Sequence, residues 1–256
     1  MKVYEGAVLF VDMLGFSALT EGAIDISESD FTAHKFTLDG VSAQVFGAKL
    51  LAKFRRRLDI YLDMKLEGER LDIAQLSDCA FIWSKNVDLV AEVARKLMMT
   101  TLQSGLLCRS GMAYGQIIEP DLVNKKIGAF ICGSAVTKAV KLEGTGKGAR
   151  VFVCEQFESQ LKHIPHKAFY KSIENSDGRK IIEFEWFNFS KLERSITPVG
   201  MFDFYNNSNY LEESAVSRIK LVKALGSAPV FNWNRSSNEG KKQIDNTIRV
   251  LNGDGR

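Results

Sequence analysis

Hydrophobic and polar positions fall into blocks along the chain, and the period changes from block to block. Val8-Leu9-Phe10-Val11 is an unbroken apolar run closed by Asp12, so residues 5–12 read as a buried central strand with a carboxylate at its end. Gly15 follows where the backbone can turn tightly, and Ser17 is placed to cap a short helix or loop that runs through polar Glu28-Ser29-Asp30. Val41, Val45, Phe46, Leu50, Phe54, Leu58 and Leu62 recur at three- and four-residue spacing and predict a helix over roughly 40–63. Gly68 breaks that period, and Leu71 to Leu76 alternates toward Ser77-Asp78. Cys79-Ala80-Phe81-Ile82-Trp83 then reads as a strand, giving a hairpin with Asp78 near its tip. Val87, Val90, Val93, Ala94, Leu97 and Met98 predict an amphipathic helix over about 87–104.

Extended structure resumes over Leu106–Gly115, where Gly111 and Gly115 mark a bulge or the close approach of another backbone. A lysine-bearing loop at Asn124–Lys126 precedes a helix over 134–143, which opens after Gly133 and ends in Gly144-Thr145-Gly146-Lys147-Gly148. Those glycines follow a helix and the lysine is followed by Gly148, so the run reads as helix termination rather than a Walker phosphate loop. Arg150–Cys154 predicts a strand, Glu155–His163 a short helix, and Asn175–Gly178 the turn of a hairpin. After Pro198 the character changes: 210–225 reads as a helix, 226–238 as a loop holding Pro229, Phe231 and Trp233, and 239–251 as a polar final helix. The order describes an α+β sandwich, with helices packed on a mostly antiparallel sheet over 1–197 and a C-terminal helical extension over 198–256, on or near the first part.

Composition narrows the functional classes. A chain of 256 residues with 45% hydrophobic and 25% charged content can bury a sizeable core and matches ordinary globular averages. No apolar run is long enough to span a membrane and the first residues lack a signal-peptide pattern, which makes cytoplasm the default expectation. A net charge of +3 does not argue for nucleic acid, and Arg55-Arg56-Arg57 reads as a solvated helix face. Cys79, Cys108, Cys132 and Cys154 are too dispersed for a zinc site and read as buried reduced thiols. His34, His163 and His166 lie in polar segments and suggest no catalytic role.

The candidate chemistry lies in Asp12 and Asp78. Two carboxylates at the ends of neighbouring strand elements remain ionised together only if cations separate them, and two divalent ions about 4 Å apart suit phosphoryl chemistry. Four motifs in order carry a resemblance: Phe10-x-Asp12-x-x-Gly15-Phe16-Ser17, Ser77-Asp78-Cys79-Ala80-Phe81, Arg109-x-Gly111-x-x-x-Gly115, and Gly133-x-x-Val136-x-x-Ala139-x-x-Leu142-Glu143. Together, over roughly residues 5–190, they resemble the catalytic domain of class III nucleotidyl cyclases. The resemblance implies a ferredoxin-like βαββαβ core and a head-to-tail homodimer with active sites at the interface. It implies that Asp12, Asp78 and the Met13 carbonyl hold two Mn2+ or Mg2+ ions, and that Leu14, Gly15 and Phe16 wrap the triphosphate. It further places the ribose-orienting and transition-state residues of the interface helix on Thr137 and Lys141, where the family usually has Asn and Arg; Lys keeps the charge without the bidentate fork.

The two places where purine cyclases read the base hold Ala74 and Phe130. Without polar groups there the usual purine hydrogen bonds cannot form, which turns the resemblance toward the Pycsar-type bacterial pyrimidine cyclases. Those imply UTP, or CTP, as substrate, cyclic UMP or cyclic CMP as product, a separate effector that senses it, and a role in anti-phage defence. The alternatives are an adenylate or guanylate cyclase whose base readers sit elsewhere, a catalytically silent cyclase-like dimerisation module, and a generic α+β binding protein.

Overall fold

The computed structural model describes residues 1–121, 130–164, 169–174, 180–187 and 210–253. In chain order the strands are β1 (Lys2–Met13), β2 (Lys65–Leu66), β3 (Glu69–Arg70), β4 (Asp72–Leu76), β5 (Cys79–Ser84), β6 (Cys108–Glu119), β7 (Val151–Val153), β8 (Phe169–Glu174) and β9 (Lys180–Phe184). The helices are α1 (Phe16–Thr20), α2 (Glu28–Ala33), α3 (Ala43–Asp59), α4 (Val87–Gln103), α5 (Ser134–Glu143), α6 (Glu155–Ser159), α7 (Tyr210–Ser227), α8 (Asn232–Arg235) and α9 (Asn238–Asn252). A 3-10 turn, Pro229–Phe231, joins α7 to α8.

The main sheet has the order β4-β5-β1-β6-β7-β9-β8, and among these pairs only β6–β7 is parallel. Its first four strands with the intervening helices form the expected βαββαβ core: β5 lies between β1 and β4, and β1 between β5 and β6. The fold is therefore α+β with a mostly antiparallel sheet, as expected.

Alternation along β1 divides its side chains between the two faces. Ala7, Leu9, Val11 and Met13 enter the large core shared with α3, α4 and the C-terminal helices, whereas Val8 and Phe10 belong to a smaller cluster under α5. Asp12 has the parity of Val8 and Phe10, so the strand period puts the carboxylate on the α5 face. That face is thinly covered. Phe10 and Phe81 pack there with tilted rings, centroids 4.8 Å apart, half-buried, next to Ala74.

Gly111 brings α5 close. A Cβ at that position would lie 2.0 Å from the Ala139 carbonyl oxygen and 2.7 Å from the Glu143 nitrogen. Of the two readings open at this glycine, close approach of another backbone is the one observed. Gly115 is similar, since its Cβ would meet Ser134 Oγ at 2.7 Å.

Several boundaries differ from expectation. The helix expected over 40–63 is α3, 17 residues long, because Ser42 ends it by accepting a hydrogen bond from the Val45 amide; Val41 and Leu62, which fit the period, lie outside it and are exposed. Ser17 does not cap α1: Gly15 is the N-cap, in left-handed backbone at φ 86°. β6 continues to Glu119 as the full-length partner of β1, beyond the predicted end at Gly115. Residues 226–238, expected as loop, hold the end of α7, the 3-10 turn and α8, with Phe231 and Trp233 buried.

Cys108 is buried, but Cys79 and Cys154 are only half-buried and Cys132 is exposed, so the expectation of buried thiols holds for one of four. His34 is also corrected. It is 4% exposed, stacks on Phe36 at 5.3 Å, and hydrogen-bonds the Val230 carbonyl at 2.8 Å. Desolvation, with Lys53 beside the ring, pushes its pKa down to about 4, so it is a neutral packing residue at pH 7. Among the described residues no helix is long and apolar enough to cross a membrane. The Asn124–Lys126 loop, His166, the Asn175–Gly178 turn and the domain boundary near 197–198 lie outside the described residues.

Candidate active site

The registers gather four chain segments at one end of the sheet. Asp12 pairs with Cys79 on one side and Arg109 on the other, Met13 pairs with Cys108, and Ser110 pairs with Val151. The β4–β5 turn, Ser77-Asp78, therefore lies beside the end of β1, and the Met13 amide donates to the Asp78 carbonyl at 3.0 Å. Ser77 holds φ +56° at the first central position of that two-residue turn, left-handed backbone that is uncommon for a residue with a Cβ. The two acids singled out in the sequence are thus brought to one place by a hairpin and a ladder.

The charge at this end is unbalanced. Asp12 is half-buried, and its carboxyl is pushed up to about 7 by desolvation, then by the negative charges of Glu143 and Asp78; Arg109 and the Met13 amide oppose the shift. Arg109 is largely committed elsewhere, donating from Nε to Glu143 Oε1 at 2.6 Å and from Nη1 to the Gly146 carbonyl at 2.6 Å. Three carboxyls around one guanidinium leave an excess of negative charge once Asp12 ionises, an arrangement that suits a divalent cation. Among the described residues no set of three or more His, Cys, Asp and Glu side chains forms a ready cage. Cys79, opposite Asp12, has its thiol pKa raised by burial and by both acids, which keeps it protonated and poorly nucleophilic.

The other expected site residues separate into groups. Met13 and Leu14 are buried at the strand end, and the Leu14 amide already donates to the Leu107 carbonyl at 2.8 Å, so it does not face a ligand as expected. Gly15 and Phe16 form the turn into α1 immediately after it. On α5, Ala135, Ala139 and Glu143 are buried at four-residue spacing, which puts Thr137 and Lys141 on the opposite face, exposed. Neither faces the Asp12 end of its own chain. Ala74 pairs with Phe81 in β4–β5, and Phe130 is 48% exposed beside the undescribed 122–129.

Arg109 and Glu143 belong to the site although the sequence assigned them no role. They open and close two of the quoted motifs, which was the only signal. The glycine run after α5 is helix termination, as expected: Gly144 is the C-cap, and the Gly148 and Ala149 amides are taken by Gln243 and Thr247 of α9.

No protein-family model matches the chain, and no curated protein matches it. Among solved structures, the catalytic core of a rhodopsin-guanylyl cyclase with converted specificity in complex with ATPαS aligns at 14% identity and TM-score 0.47, over 72% of this chain and 96% of that one. A bacterial light-regulated adenylyl cyclase aligns at 15% and 0.47, over 73% and 92%. The guanylate cyclase domain of RhGC from Catenaria anguillulae, in complex with GTP, aligns at 14% and 0.48, over 72% and 97%. Likeness at this level describes general shape, and the chemistry of the Asp12 end rests on its own residues.

Proposed function

We propose that the chain is a class III-type nucleotidyl cyclase that converts a pyrimidine nucleoside triphosphate, UTP in preference to CTP, into its 3',5'-cyclic monophosphate and pyrophosphate. The observation that carries this is the convergence of Asp12 and Asp78 at one sheet end, tied by the Met13–Asp78 backbone bond and short of positive charge. Asp12, Asp78 and the Met13 carbonyl would hold two divalent cations, Mn2+ or Mg2+. Bound there, the cations supply charge neutralisation for the triphosphate and lower the pKa of the attacking 3'-hydroxyl. The chain's own residues bind and orient. Gly15 and Phe16 would face the triphosphate, the Arg109–Glu143 pair braces the strand beside Asp12, and positioning with charge stabilisation supplies most of the rate.

Thr137 and Lys141 reach a site only in another copy of the chain, so two sites form in a homodimer. The thin cover over Phe10 and Phe81 is an apolar surface that such a partner would bury. The pyrimidine reading is supported by apolar Ala74 and by Phe130, which offer a base no side-chain hydrogen bonds. A cyclic pyrimidine product would act through a separate effector, in keeping with the anti-phage role the resemblance implies. The departures at Thr137 and Lys141 favour a second reading, a silent dimerisation module.

Incubating the purified protein with each of the four ribonucleoside triphosphates and Mn2+ separates these readings. Cyclic product from UTP or CTP is expected. Product from ATP or GTP alone sinks the pyrimidine assignment, and none from any supports the silent module. The dimer arrangement has its own test: mixing Asp12→Asn chains with Lys141→Ala chains should restore up to about a quarter of wild-type turnover, because mixed dimers carry one intact site out of two. Two inactive variants that stay inactive when mixed and shown to exchange would mean that both residues act within one chain.

A further inference from the structure

Three glycines at the Asp12 end of the sheet are shaped around the C-terminal segment. Gly105, before β6, has φ 81°, and a Cβ there would lie 2.7 Å from Val230 Cβ. Gly15, three residues after Asp12, has φ 86°, and its Cβ would lie 3.3 Å from the Trp233 ring and 3.5 Å from Asn234 Nδ2. Gly148, after α5, has φ 86°, and its Cβ would lie 2.9 Å from the Thr247 nitrogen. The Met13–Cys108 and Ser110–Val151 registers put all three loops at one sheet end, so residues 228–252 run across them as a strap. Anchors hold both ends: His34 on the Val230 carbonyl, and Gln243 and Thr247 on the Gly148 and Ala149 amides at 2.6 and 2.8 Å.

The middle of the strap bears on the site. Trp233, 1% exposed, fills the space between Gly15 and Phe46, whose ring centroid lies 6.1 Å away. Trp233 Nε1 and Asn234 Oδ1 are buried without hydrogen-bond partners. Two unpaired polar atoms on adjacent buried residues oppose folding, so stability alone does not account for them at this contact.

We propose that this strap sets the place of the Gly15 turn beside Asp12, with Trp233 as the positioning residue, so that the turn meets the triphosphate without first being ordered. The proposal rests on the cyclase reading for its consequence in catalysis, but the ordering of the turn can be measured without turnover. Full-length Trp233→Ala, Trp233→Phe and Leu225→Ala are compared by hydrogen exchange and by kcat and KM for the accepted triphosphate with Mn2+. Leu225 is fully buried on α7 in the same core, and its tie to the strap, a backbone carbonyl that accepts from Arg235 at 2.6 Å, is kept in alanine, so loss of its side chain controls for destabilisation.

Trp233→Ala is expected to speed exchange of the 13–17 amides about tenfold and to lower kcat/KM about ten- to a hundredfold. Trp233→Phe should recover only part of both, since its shorter ring lacks the Cζ3 and Cη2 atoms that meet Gly15. Leu225→Ala should leave both within about threefold despite a lower Tm. Unchanged exchange in Trp233→Ala, equal effects in Leu225→Ala, or faster exchange with unchanged kcat/KM would each overturn the proposal. If Trp233→Ala does not fold, Trp233→Leu replaces it under the same criteria. A wild-type protein that turns over no triphosphate would refute the cyclase reading, while the exchange result would still decide whether the strap orders the turn.

Discussion

Asp12→Asn and Asp78→Asn are each expected to lower turnover on the order of a thousandfold or more while the protein stays folded, since both remove charge that the reaction needs in place. For Asp12→Asn the stability change should carry the opposite sign. Without divalent cations, the Asp12 pKa is raised to about 7, above its ordinary value of 3.8, so the folded chain binds more protons than the unfolded one between those limits. Stability therefore falls as pH rises through that window, and the penalty is complete above it. After discounting for the solvent that reaches this half-buried group, Asp12→Asn should be more stable than wild type at pH 8 by on the order of 1–2 kcal/mol, a gain in Tm of a few degrees. The gain should vanish below pH 4. Mn2+ at about a hundred times its Kd should reverse the ranking by stabilising wild type by about 2.7 kcal/mol. Because the cation must displace a proton from Asp12 near neutrality, its apparent affinity should also rise with pH. Calorimetry across pH, with and without Mn2+, checks each part. A wild-type Tm that ignores Mn2+ would remove the two-cation reading.

Gly111→Ala should be among the most damaging single-methyl additions in the chain. The new Cβ would lie 2.0 Å from the Ala139 carbonyl oxygen, a backbone atom that cannot swing aside, so α5 has to lift off the sheet. Overpacking of that kind costs about 3 kcal/mol, which at this chain length lowers Tm by about 6–12 °C. The effect should reach the site as well. Glu143 lies at the end of the same helix and holds Arg109, so lifting α5 loosens the guanidinium of the residue paired with Asp12. A variant with wild-type Tm would show that α5 does not pack as described.

Strong local periods make much of this fold legible in the sequence. Val87 to Met98 gave a helix in the right place, the run ending at Asp12 gave the central strand, and Ser77-Asp78 gave the hairpin. Periodicity failed where a different force decided. Val41 and Leu62 fit the α3 stripe, yet the Ser42 cap and the turn after Asp59 leave them outside it. His34 looked solvated because its neighbours in sequence are polar, but its partner Val230 is 196 positions away. Trp233 was read as a loop aromatic for the same reason: Gly15 and Phe46 are far from it along the chain. At the site, residue type and spacing found Asp12 and Asp78, which chemistry singles out. They gave no role to Arg109 and Glu143, whose pairing depends on how closely α5 settles over Gly111.

The outward direction of Thr137 and Lys141 has a consequence at the scale of the cell. Under the proposed reading a lone chain carries half of each reaction centre, so output tracks the number of assembled pairs rather than the number of chains. At concentrations well below the dissociation constant of the pair, synthesis then rises with the square of protein abundance. Doubling expression would quadruple the signal, and halving it would cut the signal to a quarter without any inhibitor.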